Sequence, residues 1–134
     1  MSEVVIKKTV RLFFALWPQD EERAALAAWQ VPLQKLCGGR VTAAGKLHGT
    51  LVFLGEVEQG RLEALQLAAR EAGGDAMRIV FDIAHYWGHN HIVYAAPGSV
   101  PPGLMQLVGS LEQGLRHHHF SFDQRTFKPH VTLL

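Results

Sequence analysis

Apolar and polar positions change period several times along the chain, and each change predicts an element. Residues 10–17, Val-Arg-Leu-Phe-Phe-Ala-Leu-Trp, form a dense apolar run that reads as a central strand. Pro18 with Asp20, Glu21 and Glu22 then signals a helix start, since proline gives up a donor the first turn does not use and acids suit its positive end. Ala25, Leu26, Trp29, Leu33 and Leu36 continue a helical stripe, Gly38 and Gly39 stop it, and Pro32 predicts a kink or a split. Residues 40–42 read as a short strand, 43–46 as a turn, and 47–54 as a strand broken by Gly55. A second helix is expected over 61–72, with Leu62, Leu65, Leu67 and Ala69 as its apolar face. Residues 79–87 and 92–96 read as an antiparallel hairpin around Gly88-His89-Asn90. After a Pro- and Gly-rich linker over 97–103, Leu104, Leu107, Val108, Leu111 and Leu115 mark a third helix closed by His117, His118 and His119. Residues 120–122 and 131–134 are the last apolar runs, both read as strands, so the order predicts an α+β or mixed α/β pattern, of which α+β is the expectation adopted.

Two of the predicted strands carry the same four-residue pattern, His48-Gly49-Thr50-Leu51 and His130-Val131-Thr132-Leu133. With eight histidines among 134 residues and only a handful of threonines, roughly 0.3 His-x-Thr triplets are expected by chance, and requiring Leu next makes two copies far too many. In a strand, residues two apart point to one face, about 6.5 Å apart along it. Each motif can therefore aim an imidazole and a hydroxyl at one small anion such as a phosphate. Each motif also follows a helix by a short stretch, which suggests two similar lobes whose motifs face each other.

Composition narrows the chemistry. A chain of 134 residues with 48% hydrophobic content is the size of one folded domain. A net charge of +1, from 13 basic and 12 acidic residues, provides no global field for gripping long nucleic acid, so an anionic ligand has to be held locally. A single cysteine, Cys37, excludes an intramolecular disulfide and a multi-thiolate zinc site. No apolar run reaches the ~18 residues of a membrane span and residues 1–10 lack a signal-peptide core, so a cytoplasmic location is expected.

Splitting a phosphate ester by water calls for a base that deprotonates the nucleophile and an acid that protonates the departing oxygen. Two histidines, with ordinary values near ~6.5, can hold opposite protonation states at neutral pH. Thr50 and Thr132 can donate to non-bridging phosphate oxygens, giving charge stabilisation without a metal, or they serve only as β-formers. Arg11 and Lys128 are candidates for steering phosphate, against the plainer account of solvated surface. His85, His89 and His91, with the His117–His119 triplet, raise a metal hypothesis that the lack of a carboxylate or thiol at ligand spacing disfavours. No metal and no cofactor is expected.

The paired His-x-Thr-Leu strands, the opening Arg11-Leu12-Phe13-Phe14-Ala15-Leu16 before Pro18, the run Phe53-Leu54-Gly55-Glu56-Val57, and Phe127-Lys128-Pro129 before His130 together resemble the two-histidine phosphoesterase superfamily. They are most similar to its RNA 2′,3′-cyclic phosphodiesterase branch, long called 2′-5′ RNA ligase. The resemblance implies two pseudo-symmetric lobes of mainly antiparallel sheet, with helices outside and an active cleft between them. It implies His130 as the base that activates water and His48 as the acid at the leaving 3′ oxygen, an assignment the residues alone leave open. Phe14 is either a nucleobase-stacking residue, as the resemblance hints, or core. The expected partners are RNA ends or short oligonucleotides bearing a 2′,3′-cyclic phosphate, handled by a monomer away from membranes; the rival expectation is a non-catalytic binder of nucleotides or RNA ends. Two departures stand out. Gly49 replaces a larger apolar residue, and the family's further strands and basic residue do not follow Leu134, so residues 1–134 read as a single bilobal domain lacking C-terminal strands.

Overall fold

The computed structural model describes residues 8–74 and 76–134. In chain order it contains β1 (Thr9–Leu16), α1 (Asp20–Cys37), β2 (Gly49–Glu58), α2 (Leu62–Ala72), β3 (Phe81–Trp87), β4 (Ile92–Pro97), α3 (Pro102–His117) and β5 (Val131–Thr132). β1 pairs with β2, and β3, β4 and β5 form a second sheet in that order. Among the described residues, no helix is long and apolar enough to cross a membrane.

The chain divides into two compact units. The first comprises Met1–Phe14, Val52–Ala76 and Pro102–Phe127. Its buried apolar residues are Val52 and Val57 of β2, Leu65 and Ala68 of α2, and Leu104, Val108, Leu111 and Leu115 of α3, with Phe120 and Phe122 beyond the helix. Gly114 shows why the helices approach closely: a Cβ there would lie 3.2 Å from the Ala68 carbonyl oxygen. The Arg61 guanidinium donates to the His118 carbonyl at 2.7 Å and lies 3.9 Å from the Phe120 ring centroid, so it caps α3 and covers an aromatic at once. The histidine triplet is absorbed into this helix end, with His118 Nε2 placed 3.0 Å from a Glu71 carboxylate oxygen.

The second unit comprises Ala15–Leu51, Met77–Pro101 and Lys128–Leu134. β3 runs antiparallel to β4, with His85 opposite Tyr94, and β4 runs antiparallel to β5, with Tyr94 opposite Thr132. Alternation along these strands separates the faces. Val93, Ala95, Val131 and Leu133 are buried, and Leu47, Ala95, Val131 and Leu133 make a core against which Leu26, Trp29 and Leu33 of α1 pack. Tyr94, Thr132 and His130 are half-buried on the opposite face.

Several sequence expectations need correction. Gly55 does not end its strand: β2 continues to Glu58 through Gly55 at φ 78°, a conformation glycine tolerates. Pro32 does not split α1, which runs from Asp20 to Cys37. Leu36 prolongs the stripe in sequence but overhangs the helix end, 82% exposed. On α2 the buried pair is Leu65 and Ala68, three residues apart on one face, while Leu67 points outward. Residues 40–42 and 120–122 form no strand, although Thr42 N–H donates to the Leu133 carbonyl at 3.0 Å and Asp123 N–H to the Phe53 carbonyl at 2.8 Å. The residues after β5 add no more strand, so the second motif's strand is shorter than expected.

Candidate functional site

His48, Thr50, His130 and Thr132 all fall in the second unit, and all four are half-buried. Their presentation follows from what lies between them. Leu47, Val131 and Leu133 are buried, so the alternating side chains are turned the other way, toward the open face. The two motifs run against each other through their middle residues: a Cβ on Gly49 would lie 3.6 Å from the His130 carbonyl oxygen and 3.9 Å from Val131 Cγ2. Both are ordinary van der Waals distances, so Gly49 packs against the second motif at a spacing that a Cβ would also fit.

Each histidine is locked the same way. His48 Nδ1 lies 2.7 Å from the carbonyl oxygen of Lys46, and His130 Nδ1 lies 2.7 Å from that of Lys128. A carbonyl can only accept, so each Nδ1 carries the hydrogen and donates it. In the neutral ring the lone pair is then on Nε2, and the protonation change belongs to that nitrogen. The full repeat is Lys-x-His-x-Thr-Leu rather than His-x-Thr-Leu. The repeated lysine was a legible signal, although the bond uses its main chain, which any residue provides.

Aromatic rings lie against both imidazoles. Trp17, in the connection from β1 to α1, has its ring centroid 4.8 Å from that of His48, with 30° between the planes. The chain turns sharply there into α1, where Glu22 accepts the Gln19 N–H at 2.8 Å and Arg23 donates to the Pro18 carbonyl at 3.0 Å. His130 meets two rings edge-on, Trp87 at 4.9 Å and Tyr94 at 5.6 Å, and these two rings stand 4.0 Å from each other. Sequence reasoning assigned none of the three aromatics to the site, because the pairing of Tyr94 with Thr132 joins segments nearly forty residues apart.

Gln30 was missed as well. It is the buried polar side chain of α1, 4% exposed, and its Nε2 donates to the carbonyls of Thr42, at 2.8 Å, and Leu133, at 3.0 Å. A buried amide so bonded fixes the residue next to Thr132 against the helix.

Phe14 belongs to the first unit and is half-buried. In that unit Arg11 has its guanidinium 5.0 Å from the Phe53 ring centroid, and Asp123 has its carboxyl held below the ordinary range by hydrogen bonds from Arg125. His85, His89 and His91 border the β3–β4 hairpin, where His91 takes φ 55° and its Nδ1 lies 2.6 Å from the Tyr86 hydroxyl. Among the described residues, no three His, Cys, Asp or Glu side chains converge as a metal-holding group.

Comparison with known proteins gives a consistent result. The sequence profile of the 2′-5′ RNA ligase superfamily matches residues 18–134. The RNA 2′,3′-cyclic phosphodiesterase of Escherichia coli (strain K12) is 34% identical over 124 residues, covering 92% of this chain and 70% of that protein. The crystal structure of E. coli LigT complexed with 3′-AMP superposes with a TM-score of 0.85 at 33% identity, covering 95% of this chain and 73% of that one. TT0787 of Thermus thermophilus superposes with a TM-score of 0.77 at 28% identity, covering 92% and 73% of the two chains.

Proposed function

The chain belongs to the 2′-5′ RNA ligase superfamily, and from that premise we propose that it hydrolyses 2′,3′-cyclic phosphate ends of RNA or oligonucleotides to 2′-phosphates with its two His-x-Thr motifs. The observation that carries the reading is the matched pair of Nδ1 contacts, 2.7 Å each, which set both imidazoles in one tautomer with Nε2 as the proton-transferring atom. The name of the E. coli relative and the 3′-AMP bound to LigT support the substrate class.

In the proposed reaction, Nε2 of His130 takes a proton from water as the water oxygen bonds to phosphorus. The bond from phosphorus to the 3′ oxygen breaks, and Nε2 of protonated His48 gives that oxygen its proton, so one water is consumed and a 2′-phosphate remains. Thr50 and Thr132 donate to the non-bridging oxygens, where negative charge builds in the transition state. Imidazolium and hydroxyl donors supply the stabilisation that a metal supplies elsewhere, so the reaction is expected to run in chelator.

Incubating the protein with a cyclic-phosphate dinucleotide in EDTA and identifying the product tests this directly. A 2′-phosphate is expected. A 3′-phosphate would overturn the assignment of the leaving oxygen, and loss of turnover in EDTA would overturn metal independence. Tight binding without turnover would make the protein a binder of nucleotide ends.

A further inference from the structure

The open face of the β3–β4–β5 sheet extends past the second motif. Directly opposed residues on antiparallel strands project to the same face, and the register sets Thr132 opposite Tyr94 and Tyr94 opposite His85. Thr132, Tyr94 and His85 therefore lie in a row across three strands, with His130 beside Tyr94 and Trp87 beside both. His85 is exposed at the outer end of the row, its ring centroid 5.5 Å from that of Tyr94. Two interstrand spacings put it about 10 Å from Thr132, the reach of a nucleotide unit and its flanking phosphate.

We propose that His85 is a specificity-determining residue that takes the phosphodiester one nucleotide 5′ of the cyclic phosphate, so that the protein favours oligonucleotide ends over mononucleotides. The inference rests on the reading above, in which His130 and Thr132 hold the terminal phosphate. Chemistry and placement agree on the occupant. An imidazole N–H donates to a phosphate oxygen whether the ring is neutral or charged. The Tyr94 and Trp87 rings between the two anion-binding ends offer flat surface to a sugar or base rather than to a third phosphate. A protein with a net charge of only +1 has to select an RNA end through such local contacts. Tyr86, adjacent to His85 in sequence but on the other face, has no part in the row: its hydroxyl is engaged with His91 at the hairpin turn.

The test compares kcat/KM for a nucleoside 2′,3′-cyclic phosphate and for a dinucleotide ending in the same cyclic phosphate, in wild type, His85→Phe and His85→Asn. The ratio of dinucleotide to mononucleotide is expected to fall about tenfold in His85→Phe, which keeps a ring but loses the donor, as for a lost hydrogen bond to a charged group. His85→Asn, which keeps an N–H donor, should restore part of the ratio. An unchanged ratio, or equal losses on both substrates, would overturn the subsite. Dissociation constants of the matching 2′-phosphorylated mono- and dinucleotide, measured by calorimetry, give the same ratio without turnover. A protein that turns over neither substrate but shows the shift in binding ratio would refute the hydrolytic reading while supporting the subsite.

Discussion

The two copies of the motif share a lock but not a setting. Both histidines present Nδ1 to the carbonyl two residues earlier at 2.7 Å. Beyond that they differ. His48 follows a single 3-10 turn, Ala44–Lys46, and leads into the ten-residue β2, whereas His130 follows Pro129 and leads into the two-residue β5. Trp17, tilted over His48, is 53% exposed, while His130 is met edge-on by Trp87 and Tyr94, which also touch each other. The position between His and Thr is held by Gly49 in one copy and by buried Val131 in the other. A repeated pattern thus fixes tautomer and facing, which the backbone supplies locally, while the surroundings come from long-range packing and are free to diverge.

The largest effect should come from removing either ring. His48→Ala and His130→Ala are each expected to lower kcat by roughly 10²–10⁴-fold, as for loss of a general acid or base, with circular dichroism unchanged. Wild-type rate against pH should be bell-shaped, since one ring has to be neutral and the other protonated, and its limbs belong to the pair jointly. Full activity in either variant, or a single-limbed profile, would break the claim that the copies work as acid and base.

Next in size is the hydroxyl pair. Thr50→Val and Thr132→Val keep β-branching and delete the donor, so a loss of roughly 10²-fold in kcat is expected without a change in folding. If only one variant slows, the motifs differ in phosphate contact as well as in surroundings; wild-type rates in both would make the threonines strand-formers alone.

What the sequence made legible was the part that repeats or alternates over short range. The β3–β4 hairpin, α3 with its Leu104, Val108, Leu111 and Leu115 face, and the outward aim of both His-x-Thr pairs all follow from local periodicity. Features that depend on distant partners were not. Phe120 and Phe122 read as strand because they are apolar, yet they are buried in the first unit's core without a ladder of partners. Gly55 read as a strand end, yet β2 continues through it at a positive φ. The compact units are discontinuous in sequence and both histidines fall in the second, a grouping that no local periodicity reveals. Gln30 read as the polar side of a helix, because its two carbonyl partners, Thr42 and Leu133, are 12 and 103 residues away.

That glutamine provides a stability test of the comparison. Gln30→Leu removes the side-chain donor from both carbonyls; the Leu133 carbonyl keeps the Thr42 N–H, while the Thr42 carbonyl loses the amide that satisfied it. A cost of about 1–3 kcal/mol is expected for the unsatisfied group, seen as a melting temperature lower by roughly 3 °C or more. Because Leu133 adjoins Thr132, any accompanying loss of activity should combine additively with Thr50→Val and non-additively with Thr132→Val. Equal coupling to both threonines would show that the helix braces the motifs alike.

The smallest expected effect separates the two aromatic settings. An aromatic pair contributes ~0.5–1.5 kcal/mol beyond its buried area, so losing one restraint on an imidazole is expected to change kcat/KM by about two- to tenfold. Trp87 contacts both His130 and Tyr94, at 4.9 and 4.0 Å, so Trp87→Leu removes two contacts and loosens the remaining ring against His130. Its effect belongs at the upper end of that range. Trp17 contributes one tilted contact to His48 from a ring that solvent already surrounds on much of its surface, so Trp17→Leu belongs at the lower end. Measuring both on the same cyclic-phosphate dinucleotide, with folding checked by melting temperature, decides the point. A larger loss for Trp17 would reverse the comparison, because a ring held so weakly by packing can then matter only by touching the substrate itself.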